Sequence, residues 1–319
     1  MEQRDIDATE SAVLSVLGGT PIEEAARRAG TSPARLAEAV ERYRAAGRAA
    51  LDARTTGWYQ TYITFADYRT AEDAFRTHLL PALRSEPVGA WWFVRKHPCW
   101  RLRVHPPPHI PVEDTVAHVT KALDTAVSRG AVNEWSPSLY EPETVAFGGT
   151  KGMRIAHALF HVDSDGVLDY HRHVTDRTTA LLPDAKTTSL LVATLFLRAA
   201  GLEWGEQGDV WGQVEARRPL PDDVPVGKVE AMAEPLRRLL LLDPSQALAD
   251  GPLAPLRPWT TGMQHGARAL AAAARDGRLG LGLRGVLARH VLFHWNRMGF
   301  TTRQQAIWAR AARGAILGQ

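Results

Sequence analysis

The chain has 319 residues, 45% of them hydrophobic and 23% charged, enough to bury a substantial core in about two domains. Thirty-eight Lys+Arg against 35 Asp+Glu leave a net charge of +3, which does not mark a nucleic-acid binder. The single cysteine excludes an intramolecular disulfide framework and Cys-rich zinc modules.

The first ten residues, MEQRDIDATE, are charged where a signal peptide needs an apolar run, and no apolar stretch approaches the roughly 20 residues of a membrane span. A soluble, cytoplasmic protein is expected. Residues 1–54 read as a helix-turn-helix-like module of three helices. The first runs to Leu17. Thr20-Pro21-Ile22-Glu23 starts the second, with Thr20 as N-cap. Thr31-Ser32-Pro33 starts the third, which Gly47 closes. This module holds eight basic and nine acidic residues, a net charge of −1. Phosphate neutralisation carries much of DNA affinity, so DNA binding is not expected.

Residues 55–319 read as a second domain. Trp58–Phe65, Trp91–Arg95 and Trp100–Val104 are aromatic and β-branched strand candidates. Helices are expected over 70–84 and 112–129, then over 151–162, 186–201, 226–242, 262–276 and 281–298. Strands come early and helices late, without βαβ alternation. The pattern predicts an α+β fold, an antiparallel or mixed sheet with many helices.

Four groups of residues could carry chemistry. Arg101 and Arg103 flank Leu102 on a strand, so both point to one face about 6–7 Å apart, with Leu102 toward the core. Two adjacent guanidinium groups suit a carboxylate or a developing oxyanion between them. Arg95, on the neighbouring strand, is expected to add to this patch. His290 and His294 share a helix face, and Arg297 extends it, placing a base of near-neutral pKa beside a cation. Tyr140-Glu141-Pro142-Glu143 offers acids just before the turn at Gly148-Gly149, for substrate recognition or for pairing with the arginines. His157, His161, Asp163, His171 and His173 match no tight metal motif. Gly148-Gly149-Thr150-Lys151-Gly152 lacks phosphate-loop spacing, and neither GxSxG nor HExxH occurs. No cofactor and no metal are expected.

Several ordered motifs resemble one family. Trp100-Arg-Leu-Arg, Tyr140-Glu-Pro-Glu-x-x-x-Phe-Gly-Gly, Ala156-His-x-Leu-Phe-His-x-Asp-Ser164 and His294-Trp-Asn-Arg297 are similar to the thiopeptide-type bacteriocin biosynthesis family. That family includes the C-terminal elimination domain of class I lanthipeptide dehydratases, here in free-standing form. The resemblance covers roughly residues 57–319. It implies action on a ribosomally made precursor peptide, leader and core, beside a partner that glutamylates Ser or Thr. The implied reaction expels glutamate and leaves dehydroalanine or dehydrobutyrine. Other members are pyridine synthases, which join two dehydroalanines by a formal aza-[4+2] cycloaddition; a non-catalytic, peptide-binding partner of a dehydratase is the remaining alternative. The resemblance implies that Arg101 and Arg103 hold glutamate or the enolate, and that His290 or His294 is the acid/base. Arg95, Trp100, Tyr140, Glu141, Glu143, Asn296 and Arg297 would bind substrate. Elimination members carry an arginine shortly before the aromatic-Gly-Gly turn, where this chain has Ala146. The helical module is expected to help hold a leader peptide or the partner protein.

Overall fold

A computed structural model describes residues 3–176 and 182–318. The chain divides into two compact units, residues 1–58 with 139–141, and residues 59–138 with 142–319.

The first unit holds α1 (Gln3–Leu17), α2 (Ile22–Arg28) and α3 (Pro33–Thr56). Its core is Ala12, Val13, Ala25, Ala26, Leu36 and Val40, brought together by one apolar stripe on each helix. Ser32 caps α3 by accepting from the Arg35 N–H at 3.3 Å. Two expectations fail here. Thr20 is not a cap: its hydroxyl accepts from Ser15 at 2.8 Å, and Pro21 holds the N-cap position. Gly47 does not close α3, which continues to Thr56 and ends at left-handed Gly57. A glycine inside a helix costs only about 1 kcal/mol against alanine, and the flanking residues are good helix formers.

The second unit begins with β1 (Tyr59–Phe65), α4 (Ala71–His78), α5 (Leu80–Leu83), β2 (Ala90–Lys96), β3 (Cys99–His105), α6 (Val112–Ser128) and β4 (Val132–Ser138). The strands form one antiparallel sheet of order β2-β3-β1-β4. The last strand was not expected, because Pro137 argues against a strand; as β4 lies at the sheet edge, proline is tolerated there.

Helices follow: α7 (Gly149–Asp176), α8 (Ala185–Ala199), α9 (Trp204–Arg217), α10 (Val226–Glu230), α11 (Ala233–Leu241), α12 (Ser245–Ala249), α13 (Arg257–Arg275), α14 (Leu283–Arg297) and α15 (Thr302–Leu317). The fold is thus α+β. Among the described residues no helix is long and apolar enough to cross a membrane.

Register sorts the sheet into two faces. Partners across the ladder share a face, and neighbours along a strand alternate. Trp91, Phe93, Trp100, Leu102 and Val104 therefore lie together. Phe75 of α4 packs on them, 5.3 Å from both the Phe93 and Trp100 rings. The opposite face carries Gln60, Tyr62, Trp92, Val94, Arg101 and Arg103. The open edge of β2 is covered by α7: Ser164 Oγ accepts from the Phe93 N–H, and His161 Nδ1 lies 3.0 Å from the Trp91 carbonyl. Covering that edge removes a row of unpaired backbone groups.

Candidate functional site

Strand alternation places Arg101 and Arg103 on one face, with Leu102 fully buried behind them. Arg103 is 7% exposed. Its Nε donates to Gln60 Oε1 at 2.7 Å, and its guanidinium lies 4.1 Å from the centre of the Trp92 ring. Arg101 lies 5.1 Å over the Tyr62 ring, and its buried Nε has no hydrogen-bond partner among the described residues. Each arginine thus rests on an aromatic face that holds it without cancelling its charge.

His157 of α7 reaches the same indole, its ring 6.4 Å from that of Trp92. Burial pushes its pKa down to about 4, and the neighbouring His105 and Arg103 push in the same direction. At neutral pH it is an uncharged imidazole beside the Arg103 guanidinium.

Arg95 does not join the patch. It pairs in register with Trp100, so it faces the other side of the sheet, where it ion-pairs with Glu72 and lies 4.7 Å over the Trp100 ring. Trp100 is itself in the core, stacked on Phe93 at 4.8 Å. It offers no surface to a substrate.

The two late histidines are also interior. His290 is 3% exposed, ringed by Phe147, Phe160 and Phe196 at 5.0–5.7 Å. Burial holds its pKa down at about 3, aided by the charge of Arg297 and opposed by that of Asp163. His294, 2% exposed, sits between two partners: its Nδ1 is 2.8 Å from Asp163 Oδ1 and its Nε2 is 2.8 Å from Ser189 Oγ. Asp163 also accepts from Trp259 Nε1 at 3.1 Å and from Arg297 Nη1 at 2.9 Å. Burial works to raise its pKa, but His294, Arg297 and the hydrogen bonds from His294 and Trp259 outweigh burial and hold it at about 2. Arg297 is 1% exposed, packed 4.7 Å over the Phe160 ring and 5.7 Å from Trp92. It is part of this buried network, not of an open binding surface.

Asn296 accepts from Gln305 Nε2 at 3.0 Å and fixes the start of α15 against the end of α14. Glu143 pairs with Arg289 at 3.3 Å. Tyr140 is buried in edge-to-face contact with Trp58, and Glu141 is exposed; both belong to the first unit. The candidate metal residues separate: His161 covers β2, Asp163 pairs with Arg297, and His171 lies 3.4 Å from Glu72. No group of three His, Cys, Asp or Glu that could hold a metal ion occurs among the described residues.

A family model for the lantibiotic biosynthesis dehydratase C-terminal region matches residues 58–316. The chain belongs to this family. A helix-turn-helix domain model matches residues 10–57. No curated protein matches. Among solved structures, the tRNA-dependent lantibiotic dehydratase MibB from Microbispora sp. 107891 aligns at TM-score 0.59 and 17% identity, over 82% of this chain. The chain spans only 28% of that dehydratase. TbtD, the pyridine synthase from thiomuracin biosynthesis, aligns at TM-score 0.54 and 16% identity, over 81% of this chain and 97% of its own. Both structures share the fold of this chain.

Sequence reasoning missed Gln60 and Trp92 as parts of this architecture, and took Asp163 for a candidate metal ligand rather than the partner of Arg297 and His294. Trp92 was legible in principle. A tight turn at His97-Pro98 sets Lys96 opposite Cys99, and counting back sets Trp92 opposite Arg103. Asp163 gave no local signal, since its partners lie 96, 131 and 134 residues away.

Proposed function

We propose that the chain tailors a ribosomally made peptide by eliminating glutamate from glutamylated Ser or Thr. The observation that carries this reading is the pair Arg101 and Arg103 on one sheet face, backed by Tyr62 and Trp92. Elimination breaks the Cα–H bond and the Cβ–O bond and forms the Cα=Cβ double bond. A base takes the proton, the Cα electron pair becomes the double bond, and glutamate leaves with the C–O electron pair. Negative charge develops on the enolate oxygen and then on the departing carboxylate. Planar guanidinium forks fixed in advance stabilise both, and pre-organised donors of this kind supply a large share of such rate enhancements. A partner enzyme would supply the glutamylated peptide. The N-terminal helical unit would hold its leader or that partner, in keeping with its net acidic charge.

The test incubates the full chain with a glutamylated precursor peptide and follows loss of glutamate by mass spectrometry, with thiol addition to trap the new alkene. Turnover is expected. Arg101→Lys and Arg103→Lys, which keep charge but lose the fork, should each slow it by about 10²–10³. Ala146, where elimination members carry arginine, favours the second reading, a pyridine synthase. A chain that leaves the glutamyl peptide intact but closes a ring on a peptide with two dehydroalanines would establish that reading instead.

A further inference from the structure

An anion clamp works only if its guanidinium forks are held in direction, and the sheet register shows what holds one of them. Antiparallel pairing aligns Ser138, Gln60, Arg103 and Trp92 as one row across the four strands. Their side chains lie next to one another on the same face. Hydrogen bonds run along the row. Arg103 Nε donates to Gln60 Oε1 at 2.7 Å, and Gln60 Nε2 donates to Ser138 Oγ at 3.2 Å. Only one orientation of the amide serves both bonds: turned over, it would set its own N–H against the arginine N–H. Trp92 completes the row, its ring centre 4.1 Å from the guanidinium. Gln60 itself is 3% exposed. The row two residues along, Ser136, Tyr62, Arg101 and Val94, gives Arg101 a ring but no acceptor for its Nε among the described residues.

We infer that Gln60 is a positioning residue for the anion clamp: it sets the plane of the Arg103 guanidinium, a role that rests on the elimination reading. Anchored on Ser138, the amide takes up the Arg103 Nε–H, while the Trp92 ring supports the guanidinium. The amide suits this role because it is a neutral acceptor. It gives the arginine a direction without itself offsetting the charge that the glutamyl carboxylate and the developing enolate need. A carboxylate in its place would hold the same N–H but would set a negative charge against the guanidinium and compete with an anionic substrate group.

The experiment measures glutamate expulsion from the glutamylated peptide by the full chain and by its Gln60→Met and Gln60→Glu forms, with Gln60→Met also combined with Arg103→Lys. Methionine keeps the length of glutamine but is only a weak acceptor. Gln60→Met is expected to lower kcat/KM by about 10–10², the scale of a misplaced catalytic contact, and Gln60→Glu by about tenfold or more. In the Arg103→Lys background the fork that Gln60 orients is gone, so Gln60→Met should add less than about threefold. A glutamine that only fills space would cost the same factor in both backgrounds and would tolerate glutamate. Urea midpoints near wild type show that each variant is folded, and Gln60→Glu decides the matter if Gln60→Met unfolds. Either folded single variant within about threefold of wild type, or the full loss repeated in the Arg103→Lys background, overturns the role of Gln60 alone. A wild-type chain that does not expel glutamate overturns the elimination reading and this role with it.

Discussion

Asp163→Asn isolates the interaction on which the helical core turns. The carboxylate takes three donors on two oxygens: Oδ1 receives Trp259 Nε1 and faces His294 Nδ1, and Oδ2 receives Arg297 Nη1. Asparagine has nearly the same shape but one acceptor. If its oxygen keeps Trp259 and His294, its amide N–H points at the Arg297 N–H. The reverse orientation loses two bonds instead of one. Either way Arg297, 1% exposed, has no counter-charge. Its Nε and Nη2 already lack hydrogen-bond partners among the described residues. What remains is the attraction of the Phe160, Trp92 and Phe293 rings, on the order of 2 kcal/mol each when desolvated and already present in the wild type. Arginine does not escape by shedding its proton, because its pKa starts above about 12. Removing one partner of a buried pair costs about 3–5 kcal/mol. For a domain of this size that lowers Tm by roughly 6–15 °C. Urea unfolding at pH 7, followed by tryptophan fluorescence, measures it. Adding Arg297→Met to Asp163→Asn removes the orphaned charge and should recover at least half of the loss. A single variant within about 1 kcal/mol of wild type refutes this account of the core.

Two other perturbations test the same core. His290 has its folded pKa lowered to about 3, so between its unfolded value near 6.5 and that point the unfolded chain binds the extra proton. Its contribution to stability is full above pH 6.5 and is lost as pH falls, at up to about 1.4 kcal/mol per pH unit. His290→Met, similar in volume and without a titration, should flatten the decline in urea midpoint between pH 6 and 4; an unchanged slope excludes His290 as its source. Gly166→Ala would set a methyl carbon 2.1 Å from the Trp259 ring, so the expected effect is a loss of about 1–3 kcal/mol despite the better helix propensity of alanine. A stabilised variant would mean that Trp259 is free to move.

Local pattern carried much of the architecture. Apolar spacing placed α6, α8 and α14 within a few residues, and aromatic runs placed β1 to β3. The helix expected over 151–162 runs on to Asp176, because nothing in Asp163–His173 breaks a helix. Pro81 and Ala231-Met232 divide stretches that periodicity alone joined. The helices α9 and α15 were missed altogether, their apolar residues being spread among Gly, Arg and Ala.

The sequence by itself determined the family, the α+β class and the shared face of Arg101 and Arg103. Each follows from short-range order: motif spacing, element periodicity and strand alternation. Tertiary structure decided which of the candidates lie in the interior. Spacing of i,i+4 puts His290 and His294 on one side of α14 but cannot say what covers it. That helix carries apolar residues on several sides, Val286, Leu287, Val291, Leu292 and Trp295 among them, and α7, α8, α9 and α13 close around it. Both histidines and Arg297 went inward as a result. Arg95 parted from the arginine pair because hairpin register, not nearness in sequence, sets the face of a strand residue. The burial of Asp163 beside Arg297 and His294 rests on contacts between helices far apart in the chain, which no local pattern encodes.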